Sequence, residues 1–332
     1  MKSPITGKEM SLRSEQVVET FRKEDFEVTH LYYLCEETGE RFETEELVDV
    51  NLTQVYNAYR AKYNLPFPEE IKSLRQKYKQ PANKMAEILG FGVNVYRGYE
   101  NGEVPSESNA RLIQLAADPK EFKKLLVLSG AYAGDDLLNQ LKWVDGLMSA
   151  AFSSENWDLE RYMLGDEKAD LYTGYRIPNL ERFNQMIAFF ADAVQPWKTK
   201  MNKLLFYSDF LHFKKTAYSI SGTRYQAIQM GPVPINFNTL FEYAANSGYA
   251  NILITQFSNG GIGEQFTPGA KTFDTSLFND TELEVLRNVA RRFKNTSTQE
   301  IIDLSHEEEA WNQNKEGHDT ISYDFSFRLK NV

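Results

Sequence analysis

The spacing of apolar residues changes several times along the chain. Thr20 to Phe26 and Glu27 to Leu34 are rich in Thr, Val, Phe and Tyr, which predicts strands in a small β module over 1–50. From 52 to 130 the spacing is helical. Thr53 to Tyr63 predicts one helix, ended at Asn64-Leu65-Pro66-Phe67-Pro68 because proline removes a donor and fixes φ. Pro68 opens the next, with Glu69 and Glu70 suited to the positive end of its dipole. Ala82 to Leu89 and Val93 to Asn101 predict two short helices around Gly90-Phe91-Gly92, since glycine takes left-handed φ without penalty. Ser106 is placed to cap Glu107 to Ala117, and Pro119 starts a helix to about Leu128. Asp135 to Phe152 carries Leu137, Leu138, Leu141, Val144, Leu147 and Met148 at helical spacing, as a connecting helix or a dimer contact. Ser153 to Tyr175 has little periodicity and reads as a linker within 131–176.

Residues 177–312 predict a further unit. Leu180 to Val194 is an amphipathic helix, and Pro196 to Thr216 a long aromatic one. Tyr225 to Met230 predicts a short strand, and Asn236 to Asn246 a helix. Ile252 to Phe257 and Glu264 to Phe266 predict a hairpin around Asn259-Gly260-Gly261. Thr281 to Phe293 and Ser297 to Leu304 close the unit, with Thr281/Glu284 and Ser297/Glu300 as capping boxes. Residues 313–332 read as a C-terminal tail. The expected fold class is mainly α with small β elements, in several domains.

Composition adds limits. The chain has 332 residues, 42% of them apolar, enough for two or three domains. No apolar run reaches membrane-spanning length, and MKSPITGKEM lacks the apolar core of a signal peptide, so a cytoplasmic protein without membrane contact is expected. The single cysteine, Cys35, fits a reducing compartment. Net charge is −10, yet residues 71–101 carry six basic side chains (Lys72, Arg75, Lys77, Lys79, Lys84, Arg97) against Glu87 and Glu100. That island of +4 leaves −14 elsewhere. It coincides with the two short helices, a helix-turn-helix arrangement whose second helix can enter a DNA major groove.

The second of these helices ends Tyr99-Glu100-Asn101-Gly102 and is followed by Pro105-Ser106. This resembles the XRE-type helix-turn-helix. The Gly92-Val93-Asn94 that opens it is similar to the start of the recognition helix in the MqsA antitoxins. Those antitoxins have arginine just before the aromatic residue. Here Gly98 stands there and Arg97 is one place earlier, about 100° around the helix. With Phe91, Tyr96 and Tyr99 assigned to the core, Val93, Asn94, Arg97 and Asn101 face outward as candidate DNA contacts. Asn pairs with adenine and Arg with guanine. Lys84 is a candidate phosphate contact.

Two turns bracket the β module, Ser3-Pro4-Ile5-Thr6-Gly7 and Cys35-Glu36-Glu37-Thr38-Gly39. Their spacing is that of paired zinc knuckles, Cys-x-x-Cys-Gly twice. Only Cys35 is a thiol. The module thus resembles a zinc ribbon that has lost its ligands, and no metal or other cofactor is expected.

Residues 177–312 resemble the Panacea, or SocA-like, domain of bacterial antitoxins. The resemblance rests on Met201-Asn202-Lys203-Leu204-Leu205-Phe206-Tyr207-Ser208-Asp209, on Phe213 onward to Gly222, on Ala227 to Pro234, on Leu304-Ser305-His306 and on Ala310-Trp311. It implies a mainly helical domain that neutralises a toxin encoded beside it. Lys203, Asp209, Arg224, Gly231, Pro232, Val233 and Pro234 are the candidate toxin contacts, charged helix positions beside a rigid loop. The function so read is that of a type II antitoxin, a homodimer that also represses its own operon at operator DNA. The alternative is a helix-turn-helix regulator with a C-terminal sensing domain and no toxin. An enzyme is not expected: His306 and Ser305 have no nucleophile setting around them.

Overall fold

A computed structural model describes residues 1–151, 156–166, 168–258 and 260–332. The expected helix end at Phe152, the linker start at Ser153 and the hairpin residue Asn259 lie outside the described residues. The chain is about 51% helical with antiparallel sheets of two or three strands, so it is mainly α with small β elements.

β1 (Ser11–Phe21) and β2 (Glu24–Leu34) pair antiparallel, and β3 (Arg41–Phe42) adds to β2. Arg22 and Lys23 form the turn between them at φ 51° and 69°. Two-residue hairpin turns of this kind favour Asn and Gly. Arg-Lys carries no such signal, so the strand predicted from Thr20 to Phe26 runs across a bend.

Among the described residues eight helices follow: α1 (Glu45–Tyr63), α2 (Pro68–Lys77), α3 (Ala82–Ile88), α4 (Val95–Glu100), α5 (Glu107–Leu115), α6 (Pro119–Ser129), α7 (Gly134–Ala151) and α8 (Asn156–Leu164). Pro68 and Pro119 open their helices as expected, and Ser106 caps α5 by accepting from Asn109 N. α8 lies in the stretch read as a linker. Next come α9 (Leu180–Ala193), α10 (Lys198–Thr216), β4 (Tyr225–Ile228), β5 (Gly231–Pro234) and α11 (Phe237–Asn246). The hairpin β6 (Ala250–Gln256) and β7 (Ile262–Pro268), then α12 (Asp280–Phe293), α13 (Thr298–His306), α14 (Glu309–Asn312) and β8 (Thr320–Ile321) complete the order. Ser297 and Glu300 form their capping box. At α12 the box is Asn279 with Glu282, not Thr281 with Glu284. The extended residue is Asn279, and Glu284 instead pairs with Lys215 at 2.9 Å.

The chain divides into two compact units. One is Tyr56–Asp158. Its core draws Ile71 and Leu74 from α2, Met85 and Ile88 from α3, Tyr96 and Tyr99 from α4, Ile113 from α5, Phe122 and Leu126 from α6, and Val144 from α7. Tyr78 stacks on Phe122 and donates to Ala116 O at 2.7 Å.

The other unit joins Met1–Val55 to Leu159–Val332. The β module expected as a separate domain is therefore part of the C-terminal unit, where Thr29 Oγ1 donates to Asp324 Oδ1 (3.4 Å). Residues 313–332, read from the sequence as a tail, build part of its core. Tyr323 is fully buried and stacks on Phe210 of α10 with ring centroids 4.4 Å apart. α10 runs through the middle, with Met201, Leu204, Leu205, Phe206, Tyr207 and Phe210 all fully buried. A helix buried on every side is a core helix, whatever charges it carries.

Candidate functional site

In the unit Tyr56–Asp158, α3 and α4 are joined by a turn in which Gly90 takes φ +71°. Tyr96 and Tyr99 point inward. Tyr96 OH donates to Ile71 O (2.7 Å), and Tyr99 OH accepts from Asn109 Nδ2 (2.8 Å). Arg75 holds Glu100 at 2.6 Å, and the buried Arg60 guanidinium donates to Gly102 O just past the helix end. α4 is thus pinned along its inner side and at its C-terminus. On the outside, Val93 (74% exposed), Asn94, Arg97 and Asn101 are all solvent-facing. The structure brings these four candidates together.

The rest of the basic island is less available. Lys84 Nζ donates to Glu87 Oε2 and to Ala131 O, each at 2.8 Å. Lys77 donates to Ala117 O, and Lys79 sits over the Trp143 ring at 3.4 Å. Lys84, expected to hold a phosphate, has a committed ammonium group. Arg97 and Lys72 remain exposed with no ion pair among the described residues. Gly98 has a local reason: a Cβ there meets the Glu103 carboxylate at 2.5 Å. An arginine side chain at that position has to displace Glu103.

At the other unit's N-terminal end, the two turns have the same geometry. Gly7 N donates to Ser3 O (2.9 Å) and Gly39 N to Cys35 O (2.8 Å), with φ +70° and +72° at the glycines. The four knuckle positions converge. Thr6 Oγ1 lies 3.7 Å from Cys35 Sγ, and hydrogen bonds from the Ser3 and Thr38 side chains are the main reason the Cys35 thiol is pulled down to about 6. Ser3 Oγ accepts from Ile5 N and Thr6 N, as a knuckle thiolate does. One thiol and three hydroxyls do not fit zinc, which requires nitrogen, thiolate or carboxylate donors.

The candidate toxin contacts are brought together, but inside the protein. Asp209 is fully buried and accepts from Ile220 N, Ser221 N, Ser221 Oγ and Tyr225 OH at 2.6–2.8 Å. Lys203 is also fully buried, donates to Pro232 O (2.9 Å), and is pushed down to about 7 by burial. Gly231 sits at φ +95°, and a Cβ there meets Ser305 Oγ and the Lys203 side chain within 2.8 Å. Pro232, Val233 and Pro234 are buried in β5. Arg224 is half-buried and paired with Asp170 (2.9 Å). The sequence reading treats charged positions on α10 as surface. The structure corrects this, because α9, α12, α13, β5 and residues 323–328 pack around that helix. A partner reaches none of Lys203, Asp209, Gly231, Pro232, Val233 or Pro234 in this fold.

These motifs nevertheless form one interlocked structure: α10, the 219–223 loop held by Asp209, the β4–β5 turn against Lys203, and α13 with α14. Ser305 Oγ donates to its own helix at Ile302 O (2.8 Å), and the His306 ring stacks on Trp311 at 3.7 Å. Residues 201–312 match the family described as Antitoxin SocA-like, Panacea domain. The Panacea match begins within α10, so α9 and the N-terminal module fall outside it. No curated protein matches the chain. Among the described residues, no helix is long and apolar enough to cross a membrane.

The exposed residues of the Panacea segment escaped sequence reasoning. Leu253, Ile254, Phe257 and Ile262 lie exposed on the β6–β7 hairpin. Their signal was an apolar run in a two-stranded hairpin with too few strands to bury it.

Proposed function

We propose that this chain is the antitoxin of a type II toxin–antitoxin pair. Its Panacea segment binds and neutralises a cognate protein toxin. Its α3–α4 pair acts as an XRE-type helix-turn-helix that docks on operator DNA and represses the operon. The observation that carries the reading is the match of residues 201–312 to an antitoxin family. The outward-facing Val93, Asn94, Arg97 and Asn101, on and immediately flanking the rigidly held α4, support the DNA half. The role needs no catalysis and no cofactor, and the protein acts in the cytoplasm where operator and toxin meet. Two copies place two such helices about 34 Å apart on one face of DNA.

Co-expression with the neighbouring gene tests the toxin half. Growth arrest by that gene alone, relieved by this chain and accompanied by co-purification of the two proteins, is the expected result. Arrest that this chain does not relieve overturns the antitoxin reading.

A further inference from the structure

Among the described residues the Panacea segment holds five exposed large apolar side chains, and four are on one element. Met230 is the exception. Ile254 and Ile262 are 74% and 73% exposed, Leu253 52% and Phe257 43%. They occupy both faces of the β6–β7 hairpin. The register pairs Ile254 with Glu264 and Gln256 with Ile262, which puts Ile254 and Ile262 on one side and Leu253 on the other.

The hairpin is held firmly at its base. Phe266 is fully buried, Phe266 N donates to Pro196 O (2.9 Å), and Glu264 pairs with Lys198 (2.8 Å). The Trp197 and Phe257 rings, 5.3 Å apart, close over Gly263, where a Cβ meets both within 2.7 Å. Among the described residues no third strand pairs with β6, so its outer edge is open to main-chain pairing.

We propose that this hairpin is the toxin-contacting element, inserted into an apolar cleft of the toxin. The inference rests on the antitoxin reading above and names the surface through which it works. Area decides between occupants. With about 3.3 Å per residue and strands about 4.8 Å apart, one face of a seven-residue hairpin offers on the order of 250 Å². A specific interface has to clear about 1,000 Å² in total, about 500 Å² from each partner, which two faces of the hairpin reach and one does not. A second copy laid against one face falls short and leaves the other apolar face in water. A cleft that takes the hairpin between two walls covers both faces and the open edge. Its fixed base reduces the ordering cost of such insertion.

The test uses the full chain, with the product of the neighbouring gene as the probe. Ile254→Asp with Ile262→Asp is compared with the wild type and with Met230→Asp, an exposed apolar position off the hairpin. The expected result is that the double variant keeps the wild-type circular dichroism and melting temperature but loses rescue. Its co-purification falls by roughly tenfold or more, the loss of one buried hot spot. Met230→Asp keeps both. Leu253→Asp, on the opposite face, also weakens rescue. If the wild type rescues and the folded double variant rescues equally, the hairpin inference fails and the antitoxin reading stands. If the wild type itself does not rescue, both fall. If the double variant rescues but changes from dimer to monomer in light scattering, the hairpin belongs to self-association and the inference is overturned.

Discussion

Lys203 and Asp209 show how much a single side chain depends on its surroundings. Asp209 accepts two backbone amides and two hydroxyls in the core. Removing it orphans both amides and the Tyr225 hydroxyl, while Ser221 Oγ keeps Thr223 Oγ1 as an acceptor, at about 1–3 kcal/mol for each buried donor left unpaired. Asp209→Ala is expected to lower the urea midpoint of the full chain severely, whereas Asp209→Asn, which keeps an acceptor, costs less. Equal midpoints for Asp209→Ala and the wild type contradict the buried network. Lys203 has the opposite chemistry: its folded pKa sits near 7 while the unfolded value is the ordinary 10.5. Between these values the unfolded chain holds a proton that the folded chain has released, so stability rises with pH across that window. Below about 7 both states are protonated and the cost of burying the charge is fully present. Lys203→Met is expected to flatten this rise between pH 7 and 9, measured as the difference in urea midpoint from the wild type. At the start of α4 and on it, Asn94→Ala or Arg97→Ala is expected to cost ~1–3 kcal/mol at one base position of the operator. Gel shifts across an operator mutation series check it, and unchanged binding by the double variant removes the recognition role.

Elements are joined by a few buried polar ties. Burial alone raises a carboxyl pKa, yet Arg176 and Arg182 hold Glu282, at the start of α12, down to about 2. Arg182 also donates to Ile220 O and Leu277 O. Glu282→Gln leaves two guanidinium groups without their anion, a change expected to cost about 3–5 kcal/mol by analogy with other broken buried pairs. Because the folded pKa is depressed, this tie contributes fully above the unfolded value near 4.5 and is lost as pH falls toward 2. Chemical denaturation at pH 7 and pH 3.5 should show the variant's deficit shrinking at the lower pH. The two N-terminal turns are a tie of another kind, with hydroxyls around one thiol in place of a metal. Ser3→Cys, Thr6→Cys and Thr38→Cys together are expected to give about one zinc per chain by elemental analysis, and the wild type none. Stoichiometric zinc in the wild type contradicts the hydroxyl reading.

For the whole molecule, the division into units sets what can be cut. Residues 56–158 own a core drawn from α2 to α7. A fragment with these limits is expected to unfold cooperatively by circular dichroism, and a non-cooperative melt rules out an independent unit. The other unit is discontinuous in sequence. A fragment beginning at 177 lacks β1 and β2 and with them the Thr29 partner of Asp324. A fragment meant to contain this whole compact unit is therefore expected to need residues 1–55 as well as 159–332.

What the chain determines locally was legible without a structure. Pro68 and Pro119 start helices, Ser106 and Ser297 cap them, and Gly90 turns the chain between α3 and α4, because each effect is confined to a few neighbouring residues. The inward Tyr96 and Tyr99 and the outward Arg97 follow from helical spacing alone. The matched turns at Ser3 and Cys35 were visible for the same reason. Only the tertiary structure decided that the charges of Lys203 and Asp209 are buried with the aromatic side chains of α10. Lys203 and Asp209 carry charge, which favours water, but the adjacent α9 and the distant α12, α13, β5 and 323–328 pack around the helix and bury both. The same packing drew Ile321, Tyr323 and Phe327 into the core and, with no third strand to cover it among the described residues, left four large apolar side chains of the short β6–β7 hairpin in solvent.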